Sequence, residues 1–254
     1  TVPVIVQVEK PLEKLSRIEQ FFATDVPLEP IAKNFYAAEI SQQELQDLLK
    51  DPNIKKIEED EIFTILLSDS VPLINASLVL ARQNNLQNLT GYGQSVCVID
   101  SGVNATHSGI SNNIVAQKCF CSVSDLGEGG CCADTSDEDA SAGDDNGHGT
   151  HVAGIIAANG ASARGVAPDA GIVALKVTDA GGSALFSDIT QAVSWCTNNA
   201  SLYNISVISV SLCGGSYISA CDVEYDALSA EVQNAFNKNI TVVVATGNSG
   251  SSTN

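Results

Sequence analysis

The stretch that decides the fold is Ser95-Val96-Cys97-Val98-Ile99-Asp100-Ser101-Gly102. Residues 96–99 are apolar without alternation, which predicts a strand buried on both faces, as in parallel sheets covered by helices. An acid follows directly, then a glycine turn, so the run presents a carboxylate at the rim of the sheet. By itself Asp100 also reads as an Asx turn.

Working outward, three more apolar runs read as buried strands, at residues 172–177, 207–212 and 240–245. Helical stretches lie between them, at 148–158, 188–198 and 225–237. This alternation predicts an α/β fold with a doubly wound parallel sheet. Ligands of such sheets bind beyond the carboxyl ends of the strands. Residues 117–146 hold four Cys and many acids with no visible period, and are expected to form an insertion loop ordered by crosslinks.

Residues 1–67 contain no Cys and read as a separate unit. A strand over 4–8, a helix over 11–22, strand-like residues over 31–40, a capped helix from Ser41 and extended residues over 54–67 predict a small α+β domain of ferredoxin-like type. Residues 68–94 read as a linker with a short helix over 78–86. The second unit is expected to span 68–254.

The net charge is −18 with twelve Lys plus Arg, a surface that repels nucleic acid and anionic membranes. No apolar run reaches the ~20 residues of a membrane span. Eight Cys and six N-x-Ser/Thr sequons (Asn75, Asn88, Asn104, Asn199, Asn204, Asn239) point to an oxidising, secretory compartment. Disulfides are favoured over zinc at Cys119, Cys121, Cys131 and Cys132, since no His lies close by. Pairing cannot be read from the sequence. Cys213 with Cys221 would close a small loop, and Cys97 inside its strand is expected to be a buried free thiol. The chain contains no Met and begins at Thr1, which reads as a processed or partial product.

The chemistry centres on Asn146-Gly147-His148-Gly149-Thr150-His151 and on residues 245–250 (ATGNSG). A histidine at the mouth of a buried helix is placed to move protons. Residues 245–250 alone could be a simple turn. Together, Asp100, His148 and Asn248 would supply an orienting acid, a general base and an oxyanion donor for acyl transfer.

Residues 96–102 (VCVIDSG), 147–154 (GHGTHVAG), 165–168 (GVAP), 209–212 (SVSL) and 245–250 (ATGNSG) resemble the subtilisin-like serine proteases, in the family order. The resemblance implies a secreted serine endopeptidase in which Asp100 is the triad acid, His148 the general base, His151 a structural histidine and Asn248 the oxyanion donor. It implies that Ser211, Leu212, Cys213 and Gly214 wall the substrate cleft, with Gly181 and Gly182 in the opposite edge strand. Residues 1–67 then correspond to an inhibitory and chaperone propeptide, cut after Leu67 or Leu66 with Ser68 near the mature start. Polypeptide substrates are implied, with no nucleic acid or membrane partner.

The family nucleophile lies in a Gly-Thr-Ser-Met-Ala motif several dozen residues beyond the oxyanion Asn, whereas this sequence stops six residues after Asn248. The serine is therefore expected on a further C-terminal part of the catalytic domain. The alternative is an inhibitory or binding protein on an inert subtilisin-like scaffold. Hard oxygen ligands in the acidic run, namely Asp137, Asp139, Asp144 and Asp145, suit a structural calcium ion.

Overall fold

The structure is a computed structural model that describes residues 1–9, 26–60, 62–65, 74, 76–80, 82–84, 87–123, 129–160, 164–214 and 226–247. The helix expected over 11–22 lies outside the described residues.

The first unit contains β1 (Val2–Val8), β2 (Glu29–Ala32), β3 (Phe35–Ile40), α1 (Gln42–Leu48) and β4 (Ile54–Glu59). Its sheet is antiparallel in the order β2-β3-β1-β4. The segment read as one strand over 31–40 is a hairpin, turned at Lys33 and Asn34. Ser41 and Glu44 close the expected capping box on α1. Alternation along β1 explains its near-continuous apolar sequence. Val4, Val6 and Val8 face Leu48 and the unit's own core. Ile5 points the other way, into a cluster with Phe186 and Ala227 of the second unit.

The chain then forms β5 (Ile62–Ile65), α2 (Ala76–Leu80), β6 (Gln83–Asn84) and β7 (Gln87–Asn88). The helix expected over 78–86 is thus shorter and earlier, because Gln83 and Asn84 pair antiparallel with Asn88 and Gln87 instead. The second unit continues with β8 (Ser95–Asp100), β9 (Ile114–Phe120), β10 (Glu138–Asp139), α3 (His148–Ala157), β11 (Gly171–Lys176), β12 (Ser183–Leu185) and α4 (Phe186–Asn198). It ends in α5 (Ala200–Tyr203), β13 (Ile205–Val210), β14 (Leu212–Cys213), α6 (Asp226–Asn237) and β15 (Thr241–Val244).

The main sheet runs β10-β9-β11-β8-β13-β15, parallel except for β10 against β9. Helices cover both faces, as the alternation predicts. Val98, Ile172 and Ala174 pack with Val152, Ala153 and Ala157 of α3. Cys97, Ile99, Val173 and Leu175 pack with Ile189, Val193 and Cys196 of α4. Strand β9 was not visible in the sequence, since residues 117–120 carry Gln, Lys and Cys. β15 is the last strand of the sheet, so its Val243 and Val244 are exposed rather than buried on both faces.

Cys97 is not a free thiol. It pairs with Cys196 and ties the central strand to α4. Cys119–Cys132 and Cys121–Cys131 close the acidic loop. Cys213 is a free thiol among the described residues, and the loop expected with Cys221 involves a residue outside them. Cys97–Cys196 spans 99 residues of sequence, and a closed loop of that size restricts the unfolded chain by about 4–5 kcal/mol in the loop-entropy account. Replacing both cysteines by Ala should lower the denaturation free energy by about 2–5 kcal/mol in a chemical unfolding titration, whereas the Cys119–Cys132 double variant should lose less.

Candidate active site

Two parallel-sheet rules bring the polar residues together. β8 ends in Asp100, and its neighbour β11 places Lys176 in register with it. Asp100 is completely buried. Its Oδ1 accepts a hydrogen bond from Ser101 N at 2.7 Å and faces His148 Nδ1 at 2.8 Å. His148 opens α3, so its imidazole leaves the helix at the end nearest the strand rim. Its Nε2 is buried and has no hydrogen-bond partner among the described residues. A carboxylate that accepts from Nδ1–H fixes the tautomer in which Nε2 is the basic nitrogen. This pair can orient an imidazole and leave one basic nitrogen for an incoming proton.

The distance between strand end and helix start is set by Ser101 and Asp144. Ser101 Oγ accepts from Gly149 N at 2.9 Å and donates to Asp144 Oδ1 at 2.8 Å. Asp144 also accepts from Asn146 N, Gly147 N, Thr150 N and Thr150 Oγ1. Burial raises its carboxyl, but the Thr150 hydroxyl, the Gly147 and Thr150 amides and the Ser101 hydroxyl outweigh that and hold it below the ordinary value. Asp145 Oδ1 accepts from Lys176 Nζ at 2.6 Å, and Lys176, itself buried, also donates to Ser101 O at 3.4 Å. The four acids expected to bind calcium are therefore not gathered. Asp144 serves the loop, Asp145 pairs with Lys176, Asp137 contributes its carbonyl to Cys121 N, and Asp139 turns onto Ala140 N. Among the described residues no group of three or more His, Cys, Asp or Glu side chains could hold a metal ion.

The segments expected to wall the cleft fall on or beside two short strands, with one shift. The edge strand is β12, Ser183–Leu185, and Gly181 and Gly182 form the turn before it, closed by Gly182 N onto Asp179 O. On the other side Leu212 and Cys213 form β14, flanked by Ser211 and Gly214. β5 lies between them and pairs antiparallel with both, so that Thr64 is opposite Ser183 on one side and Cys213 on the other. Leu66, Leu67, Ser68 and Asn248 lie outside the described residues. Sequence reasoning missed Ser101 and Lys176; the only signals were a hydroxyl beside the acid and a lysine closing an otherwise apolar strand.

Residues 91–254 match the subtilase family. The chain belongs to that family. It is 36% identical over 215 residues to the thermostable alkaline protease of Halalkalibacterium halodurans, covering 84% of this chain and 51% of that protein. It is 35% identical over 221 residues to subtilisin E of Bacillus subtilis, covering 86% and 50%. This subtilase chain thus spans about half the length of the curated relatives it matches. Its fold is similar to that of the epidermin leader peptide processing serine protease of Staphylococcus aureus, with a TM-score of 0.71 at 22% identity over 98% of this chain and 60% of that one. Among the described residues no helix is long and apolar enough to cross a membrane.

The α3 start approaches the strand end so closely that only glycine fits. A Cβ on Gly149 would lie 2.0 Å from Gly102 O and 3.1 Å from Asp100 Oδ1. Gly149→Ala should therefore push α3 off the rim, with a loss of about 1–3 kcal/mol in stability. The same variant should lose the low-field Nδ1 proton resonance of His148 in the NMR spectrum; its persistence would show that the contact with Asp100 tolerates the shift.

Proposed function

We propose that this chain carries the prosegment and the first part of the catalytic domain of a secreted subtilisin-like serine endopeptidase, acting on extended polypeptides. The observation that carries this reading is the His148 Nδ1 contact to the buried Asp100 at 2.8 Å, which leaves Nε2 unpartnered. In the proposed mechanism His148 Nε2 takes the proton of a serine hydroxyl as that oxygen attacks the scissile carbonyl. The imidazolium then gives the proton to the leaving amine. Asp100 keeps the ring oriented and stabilises its positive form, and Asn248 donates to the oxyanion. The serine is supplied by a part of the protein beyond this sequence. Hydrolysis by water, again with His148 as base, frees the enzyme.

Residues 1–67 are proposed to hold the enzyme latent. Support comes from β5, which fills the groove between β12 and β14 through backbone pairing, the way an extended substrate would by β-augmentation. Cutting after Leu66 or Leu67 would leave β5 as a product in its own cleft.

In protein extended to include the rest of the domain, a fluorophosphonate probe should label one serine. His148→Ala should lower kcat by about a millionfold, the scale of losing the triad base in a subtilisin. Absence of labelling in correctly processed protein would favour an inert scaffold instead. N-terminal sequencing of the processed form should begin at residue 67 or 68.

A further inference from the structure

We propose that Asn239 carries an N-linked oligosaccharide whose first sugar lies on the exposed ring of Phe236, so that modification tightens the turn joining α6 to β15. The proposal takes from the preceding reading only that the chain is exported. It does not need the chain to be a protease.

The turn is pinned by its two apolar ends. Ala235, near the end of α6, and Ile240, just before β15, are both buried in the core under the main sheet. Between them the helix closes in a Schellman motif. Ile240 N donates to Ala235 O at 3.0 Å, and Asn239 N donates to Phe236 O at 2.9 Å. The motif requires a left-handed residue, and Asn239 supplies it with φ of +60°. Backbone shape thus accounts for an asparagine at 239, but not for its neighbours. Thr241 completes an N-x-Thr acceptor site and is exposed at the start of β15. Phe236, three residues before Asn239, is 71% exposed, whereas Phe35, Phe120 and Phe186 are each at most 6% exposed. The Asn239 side chain is itself exposed and makes no hydrogen bond among the described residues. Two other sequons differ in this respect. Asn199 commits its Nδ2 to Trp195 O, and Asn104 commits its Oδ1 to Thr106. Lys238, the other side chain of the turn, reaches to α4, where its Nζ donates to Thr197 O at 3.2 Å and Asn198 Oδ1 at 3.3 Å.

A lipid-diphosphate oligosaccharide is the donor that balances the transfer. Asn239 Nδ2 attacks the anomeric carbon of the first sugar, and a nitrogen–carbon bond forms. The bond from that carbon to the diphosphate oxygen breaks, the lipid diphosphate leaves with the electron pair, and the amide gives one proton to a base. The transferase meets the chain during export, and folding then sets residues 236 and 239 on one turn. The face of an aromatic ring is electronegative and attracts the polarised C–H groups of a sugar. Covering Phe236 also removes apolar surface from water. Both gains exist only in the folded state, because only the closed turn brings ring and sugar together. The position leaves the cleft open. β8, β13 and β15 run parallel, so Asn239, which precedes β15, lies at the end of the sheet opposite Asp100.

The test is the 254-residue chain secreted by a eukaryotic host, mapped for glycopeptides and then unfolded in urea. Asn239 should be occupied. Thr241→Val abolishes the acceptor signal without touching the left-handed residue. Its cost, read in the unfolding constant, should be about threefold to tenfold larger in the wild-type background than in Phe236→Ala. Phe236→Leu, which keeps apolar bulk without the ring, should behave as Phe236→Ala does and decides the matter if the alanine variant does not fold. Trimming the glycan to its first sugar should preserve the difference, since only that sugar meets the ring. An unmodified Asn239 in the secreted chain, an equal cost of Thr241→Val in all three backgrounds, or loss of the difference on trimming overturns the proposal. A chain that passes, yet whose extended form takes no fluorophosphonate, keeps the glycan and discards the endopeptidase reading. A labelled enzyme without sugar at Asn239 does the reverse.

Discussion

The hydrogen bond between His148 Nδ1 and the wholly buried Asp100 is the contact on which the other features of the site converge. A carboxylate with no exposure must be met by donors, and two are supplied at Oδ1, the His148 ring and Ser101 N. Meeting that need constrains everything near it. β8 must end at Asp100, α3 must begin at His148, and the two must touch. Gly102 and Gly149 make the touch possible. Gly102 has φ of +93°, and a Cβ there would lie 2.4 Å from Ala142 O. Ser101 and Asp144 then hold the approach by polar bonds instead of side-chain bulk.

Charge balance around the site is also local. The chain is strongly acidic overall, yet Lys176 is buried next to the strand end. An ammonium in that position is tolerated because Asp145 and Ser101 O receive its protons. The consequence is that loop 143–146, which delivers His148, is tied to β11 as well as to β8. Two acids that look free along the sequence are committed to this lattice, Asp144 to the loop amides, Thr150 and Ser101, and Asp145 to Lys176.

The relation between the two units follows from one strand. After β4 the chain leaves the small antiparallel sheet, and β5 becomes the middle strand of β12-β5-β14. The apolar seam of Ile5 with Phe186, and Asp60 Oδ1 accepting from Ser187 N at 2.7 Å, make the same connection by other means. Backbone pairing is indifferent to side-chain identity, so β5 is held between β12 and β14 largely by its main chain.

The sequence by itself pointed to the parallel sheet, its strand ends and the residues Asp100 and His148, because unbroken apolar runs alternating with helical stretches fit strands covered by helices, whose polar ends lie at the rim. Residues 181–182 and 211–214 also fall on or beside the two strands that flank β5. The sequence did not reveal the partners of Cys97, Asp144, Lys176 or Asp60. Each of these depends on a residue brought near by the fold, such as Cys196, 99 positions away, or Ser187, 127 positions away. Cys97 read as an inert thiol because a buried cysteine and half of a disulfide are the same residue in an apolar run. The partners of Asp144 and Asp145 were not legible because a carboxylate's partner is chosen by geometry that composition does not contain. Local pattern fixes which face of an element is buried; only the packing of elements decides which donor meets which acceptor there.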